Sequence, residues 1–202
     1  MDKLIALAVA VAALITAVPA PAYPCLNGVL LVGDEDIRAL ERIERLLVAG
    51  KHQAALHAVR AIGSPSDFEG LRAAAFKQRL RLIDATAKLR LLARQRPIDL
   101  ERLAEVTRTL RSVQSDTGLT PPLYKARLAE ALALTPGGMG EAKILMADLE
   151  QRDLIPEAEA WVTVAKVRAY MHDIDGMSAA LRRCEKMAGK RKAVCRGTDF
   201  AS

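Results

Sequence analysis

The chain has 202 residues, 51% hydrophobic and 27% charged, with a formal net charge of +6. That length suits one domain with a sizeable core and excludes a chain disordered throughout, which would lack the apolar surface to offset ordering entropy. Aromatic residues make up only 3%, too few for the pleated faces of a β-sandwich or the stacking platform of a single-strand nucleic-acid binder; abundant Ala, Leu, Arg and Glu point instead to an all-α protein.

Residues 1–22 read as a signal peptide. Asp2 and Lys3 precede an apolar run of 15 residues, Leu4 to Val18, and Ala20 and Ala22 supply the small residues of an A-x-A cleavage site before Tyr23. The run is shorter than the roughly 20 residues a spanning helix needs. The expected product is exported, periplasmic or secreted in a bacterial setting, and not an integral membrane protein after cleavage; the other reading is a leader kept as an anchor. Residues 23–33 form an apolar N-terminal arm with turn residues, and Cys25 sits in no lipobox.

From Asp34 the pattern turns helical. Ile37, Leu40, Ile43, Leu46 and Leu47 share one face, and Asp34, Glu35 and Asp36 favour the positive end of the helix dipole. Gly50 breaks this helix. Ala54, Ala55, Ala58, Val59 and Ile62 mark a second, ended by Gly63-Ser64-Pro65. Ser66-Asp67-Phe68-Glu69 has the form of a capping box opening a long helix to about Arg94, interrupted at Arg96-Pro97. Leu100, Leu103, Ala104, Val106, Leu110 and Val113 continue as another helix. Thr120-Pro121 reads as a cap with proline at the first helical position, followed by helices over Leu123–Leu134, Met139–Gln151, Pro156–His172 and Gly176–Ala188. Short breaks make these eight helices four antiparallel hairpins within residues 34–188. The tail, 189–202, is basic and has no clear period.

Export permits disulfides. Cys184 and Cys195 are close in sequence with Gly189 between them, which predicts a structural bridge tethering the tail. Cys25 is then free or pairs with another chain. No C-x-x-C motif and no zinc spacing is present.

The last two hairpins repeat at a spacing of 38 residues: Gly138-Met139-x-x-Ala142 matches Gly176-Met177-x-x-Ala180, and in the same register Leu123 falls on Trp161, Met146 on Cys184 and Leu149 on Met187. Ala55-x3-Val59 has a similar arrangement, and Ala104 is the corresponding candidate in the second hairpin. A small residue lets two helices approach closely, and a larger one a turn later fills the gap against the next repeat. In Trp161-x2-Val164-Ala165-x2-Arg168 followed by Ala180-x3-Cys184, the chain resembles the tetratricopeptide (TPR) and related helical-repeat families. It departs from them in its longer period and in lacking the first-helix glycine and tyrosine. The resemblance implies antiparallel hairpins stacked as a short TPR-like α-solenoid that binds a protein or peptide on a concave surface. It carries over no catalytic residue, because the family's shared motif is structural.

No other motif supplies chemistry. His52 and His57 are five residues apart on one helix and do not share a face well; His172, beside Asp173, reads as dipole compensation at a helix end. There is no nucleophile elbow, P-loop or metal-ligand spacing, and no cofactor is expected. Carboxylates among basic residues read as surface ion pairs at helical spacing. Basic residues concentrate between Arg72 and Arg111 and again between Arg182 and Arg196. Without a readout motif they predict no specific nucleic-acid recognition. They do allow an alternative to the scaffold reading: a basic envelope-surface module binding anionic lipid or polysaccharide. The favoured expectation is an exported helical-repeat scaffold for a protein or peptide partner, without catalysis.

Overall fold

The computed structural model describes residues 30–63, 68–69, 72–116 and 121–196. The expected leader, most of the arm with Cys25, Ser66-Asp67, Thr120 and the tail beyond Arg196 lie outside the described residues. The chain divides after Leu30 into two units, and every helix among the described residues belongs to the second, Leu31–Ser202. Eight α-helices follow in order: α1 (Asp34–Val48), α2 (His52–Ile62), α3 (Ala73–Leu92), α4 (Leu100–Asp116), α5 (Pro122–Leu132), α6 (Met139–Gln151), α7 (Ala158–Tyr170) and α8 (Ile174–Ala188). A 3-10 segment, Gly189–Cys195, occupies part of the stretch where the sequence shows no period. Among the described residues, β-strand is confined to the dipeptides Leu30–Leu31 and Phe68–Glu69.

The ends of the helices correct several boundaries. Glu69 lies in extended backbone, and α3 begins only at Ala73, so the expected capping box does not open it. Pro121 is the cap of α5 and Pro122 its first residue. Helix α8 starts two residues before Gly176, where the Asp173 carboxylate accepts from the Gly176 N–H at 2.8 Å. Three helices end alike. Gly50, Asp153 and His172 each take positive φ just past α1, α6 and α7. In each, two N–H groups return to carbonyls of the last turn, as when Gly50 N donates to Leu47 O and Lys51 N to Leu46 O. This is the Schellman closure. Gly50 adopts the conformation at no steric cost, whereas Asp153 and His172 hold it with a Cβ.

Consecutive helices pack on one another along the chain, and the odd-numbered ones also pack on each other, α1 on α3, α3 on α5 and α5 on α7. Helix α3 therefore buries two stripes. Phe76, Leu80, Ile83 and Ala87 join the core of α1 and α2, while Leu82, Ala85, Leu89 and Leu92 face the core that runs on to α8. Each stripe has three- and four-residue steps, and together they leave α3 with little amphipathicity. Helix α7 is buried almost all round for the same reason. Buried hydroxyls are satisfied within their helices, with Thr86 donating to Leu82 O at 2.6 Å and Thr107 to Leu103 O at 2.8 Å. No helix among the described residues is long and apolar enough to cross a membrane.

Cys184 and Cys195 are joined, with a Cα–Cα separation of 5.9 Å, and the bond ties the 3-10 segment to α8. Closing so short a loop contributes about 3 kcal/mol in the chain-entropy description. Reduction is expected to lower the melting temperature by roughly 6–12 °C and to raise amide exchange first in residues 189–195. Equal exchange there before and after reduction would show that the bridge holds nothing in place.

Candidate ligand-binding cavity

A cavity of about 540 Å³ lies where α3, α5 and α7 meet the turn between α1 and α2 and the 3-10 segment. Helix α3 brings Arg90, the turn after it Ala93 and Arg94, α5 brings Glu130, and α7 brings Glu159, Thr163 and Lys166. His52 enters from the first turn of α2, and Arg191, Ala193 and Val194 close the side built by the 3-10 segment.

A buried charge network forms one wall. Arg90 is 4% exposed. Its Nε and Nη2 donate to the two oxygens of Glu130, each at 3.2 Å, and Nη2 also donates to Glu157 at 2.6 Å. Glu157 accepts from Arg127 as well, at 3.4 Å, and Glu159 accepts from Arg191 at 2.8 Å while lying 3.6 Å from Arg90 Nη1. Three arginines thus balance three carboxylates. Burial works against the Arg90 charge, but Glu130, Glu157 and Glu159 outweigh it and hold the guanidinium firmly protonated. Burial pushes the Glu130 carboxyl up despite Arg90. It also opposes the Glu157 charge, but Arg90 and Arg127 overcome that and hold Glu157 below the usual carboxylate range. Glu130 is therefore the more readily protonated of these two.

Beyond this neutral set the cavity carries Arg94, Arg96 and Lys166, none with a carboxylate at ion-pair distance among the described residues. Arg96 donates only to the backbone carbonyls of Ala93 and Gln95. Burial lowers the Lys166 pKa, Glu130 pulls it up and Arg96 down. The buried side-chain atoms without a hydrogen-bond partner gather here too: both ring nitrogens of His52, Nη1 of Arg90 and Oε2 of Glu159. Buried polar atoms are nearly always paired, with protein or with ordered water, so such a gathering singles out this part of the structure. A second hollow, between α1 and α2, is largely apolar and holds none of these atoms.

His52 is held neutral. Burial, then Arg90, Arg94 and Arg191, lower its pKa to about 4, against a smaller opposing pull from Glu159. Above pH 6.5 the ring is neutral folded or unfolded. Between pH 6.5 and 4 only the unfolded chain takes up the proton, so stability falls as pH drops through that window. The full loss amounts to roughly 3 kcal/mol. His52→Gln is expected to flatten this part of the pH–stability curve in urea unfolding; an unchanged slope would remove His52 as its source.

The residues singled out by the repeat lie elsewhere. Ala142, Met146, Trp161, Ala180 and Cys184 are core residues, and Met139 and Met177 pack partly against that core. None of them lines the cavity. Gly138 lies so close to Leu132 that a Cβ there would run into the Leu132 carbonyl; at Gly176 a Cβ would meet only the Asp173 side chain. The register loosens further on, since Leu149 is buried and Met187 is 48% exposed. Ala104 is exposed, unlike Ala55. His172 closes α7, and its neighbour Asp173 pairs with Arg168 at 3.1 Å. His57 meets Gln53 at the surface. The basic stretch on α3 and α4 is largely offset by pairs such as Arg72–Asp34, Arg79–Glu44 and Lys88–Asp84.

Arg90, Glu130, Glu159 and Lys166 were not singled out by sequence patterns, and His52 was weighed only together with His57. The available signal was a charged residue inside an otherwise apolar helical stretch, as in Leu89-Arg90-Leu91-Leu92 or Ala129-Glu130-Ala131. A helix apolar all round is a buried helix, and its charges are buried with it. Among the described residues no group of His, Cys, Asp and Glu is arranged to hold a metal ion. The arrangement can hold an anion against Arg94, Arg96 and Lys166 and offer Glu159 Oε2 to a donor on the same ligand. No protein-family model, curated protein or solved structure matches this chain.

Proposed function

We propose that the chain is an exported binding protein, built as a short TPR-like α-solenoid, that holds a protein or peptide partner without transforming it. The observation that carries this reading is the cavity, with its unpartnered buried polar atoms, set against three successive odd-numbered helices. The row in which α1, α3, α5 and α7 touch in turn, with the even helices packed against their chain neighbours, supports the reading of stacked hairpins. Such stacking gives an extended inner surface suited to a polypeptide. Export rests on the leader-like first 22 residues and is consistent with the Cys184–Cys195 bond.

A photo-crosslinking residue placed at Arg94, beside the cavity, and another at Arg108, exposed on α4, test this reading in the native extracytoplasmic fraction. A discrete protein captured from position 94 and not from 108, and surviving a high-salt wash, is the expected result. Capture of only anionic lipid or polysaccharide, lost at high salt, would favour a basic envelope-surface module instead.

A further inference from the structure

We infer that the outer face of α8, together with the 3-10 segment after it, docks on the surface of an anionic phospholipid bilayer. The cations on this face line neither of the two hollows, so the protein would sit on a membrane and keep its cavity free for the partner proposed above.

Charge comes first. Between Arg182 and Arg196 seven cations stand against one carboxylate, Glu185. The difference, +6, equals the formal net charge of the whole chain, so the charges elsewhere in the sequence cancel. Arg191 is turned to Glu159 at 2.8 Å, Arg196 lies 3.8 Å from Glu185, and Arg183 lies over the Trp161 ring. Arg182, Lys186, Lys190 and Lys192 are exposed, and none has a carboxylate at ion-pair distance among the described residues. Ala180, Cys184 and Ala188 form the buried stripe of α8. Arg182 and Lys186, one turn apart, fall on the opposite side of the helix. The Cys184–Cys195 bond holds the segment that carries Lys190 and Lys192 to the same helix.

Shape and apolar exposure come next. A convex face of flexible cations without a cleft suits a plane of negative charge better than one small anion. The face is also not purely polar. Met187, beside Lys186 and one turn from Arg183, is 48% exposed. Tyr170, Met171 and Ile174 are exposed where α7 passes into α8. Of the seven large apolar side chains exposed among the described residues, these four belong to the last hairpin, the one that carries the net charge. Polysaccharide and nucleic acid would meet the cations and leave such side chains in water. A bilayer meets both, with phosphate for the cations and the acyl boundary for the apolar groups, while the stems of Lys and Arg lie along that boundary.

Flotation of the mature, oxidised protein with vesicles tests this. One set of vesicles is phosphatidylcholine alone, and the other is two parts phosphatidylcholine to one part phosphatidylglycerol. The expected result is binding to the anionic vesicles only, strong at about 50 mM salt and much weaker at about 500 mM. Arg182→Gln, Lys186→Gln and Lys190→Gln together are expected to weaken it about 100-fold at unchanged helicity. Arg60→Gln, Arg108→Gln and Lys143→Gln remove the same charge from exposed positions on α2, α4 and α6 and are expected to leave it nearly unchanged. Met187→Ser is expected to weaken vesicle binding severalfold without affecting heparin, a soluble polyanion with no acyl layer. Equal losses in the two triple variants would overturn the assignment to α8. Absence of binding to anionic vesicles at low salt would overturn the inference outright. Heparin binding as tight as vesicle binding, with Met187→Ser changing neither, would overturn the lipid in favour of a polysaccharide. Crosslinking from Arg94 reads the cavity separately, so either proposal can fail while the other stands.

Discussion

Replacing Arg90 by methionine is expected to cost roughly 3–5 kcal/mol of folding free energy, read as a lower midpoint in urea unfolding. The loss does not come from the attraction of one pair. Glu130, Glu157 and Glu159 all lie around this guanidinium in a largely buried region. Removing the cation leaves their charges or protons to be accommodated without it. Glu157 retains Arg127 and Glu159 retains Arg191, so Glu130 is left most exposed to the change. Its carboxyl, already pushed up by burial, is expected to be pushed further up in the variant. Adding Glu130→Gln to Arg90→Met should therefore recover part of the lost stability. If the double variant is as unstable as the sum of the two single ones, Arg90 and Glu130 are not coupled as their distances imply.

Trp161→Ala is expected to cost about 3–5 kcal/mol as well, here through lost packing. Trp161 sits on α7 in the core shared with α8, and the Arg183 guanidinium lies 4.8 Å from its ring centroid. The arginine lies over the ring and adds a cation–π contribution of about 0.5–1 kcal/mol. Removing the indole leaves a cavity that the two tightly packed helices can close only partly. Unfolding by urea would show this directly. A variant that unfolds like the parent but loses the protein captured by crosslinking would instead make Trp161 a contact residue.

How far the fold was legible depended on where each helix lies. Helix α1 has one buried stripe, Leu40, Ile43 and Leu47, and a polar remainder, so period and burial coincide. The boundaries of α6 were also recovered, from the glycine-rich turn before it. The boundary at Ser66–Glu69 failed because a capping box is a local preference, and extended backbone at Phe68–Glu69 postpones the helix to Ala73. The cavity residues were harder still. The rule that charges on helices form surface pairs assumes one face in water, and it holds for Lys88–Asp84. Helices α3 and α7 have no such face over much of their length, so Arg90 and Glu159 meet partners 40 and more residues away or on another element. Spacing within a single helix carries no information about such pairings. The Cys184–Cys195 bond was legible because both its residues lie in one short stretch of chain.

The route by which the cavity is assembled has a bearing on biosynthesis. Its walls come from the segment around His52, then Arg90, Glu130 and Glu159, and finally Arg191 in the 3-10 segment. Synthesis delivers these in order, and each hairpin can pack on the one before as it emerges. The site itself does not exist until residues after α8 have been made and fastened at Cys195. A chain interrupted within α8 would hold most of its helices yet leave Glu159 facing solvent without Arg191. The cavity is thus completed last, and its closure requires translation to have run through the 3-10 segment.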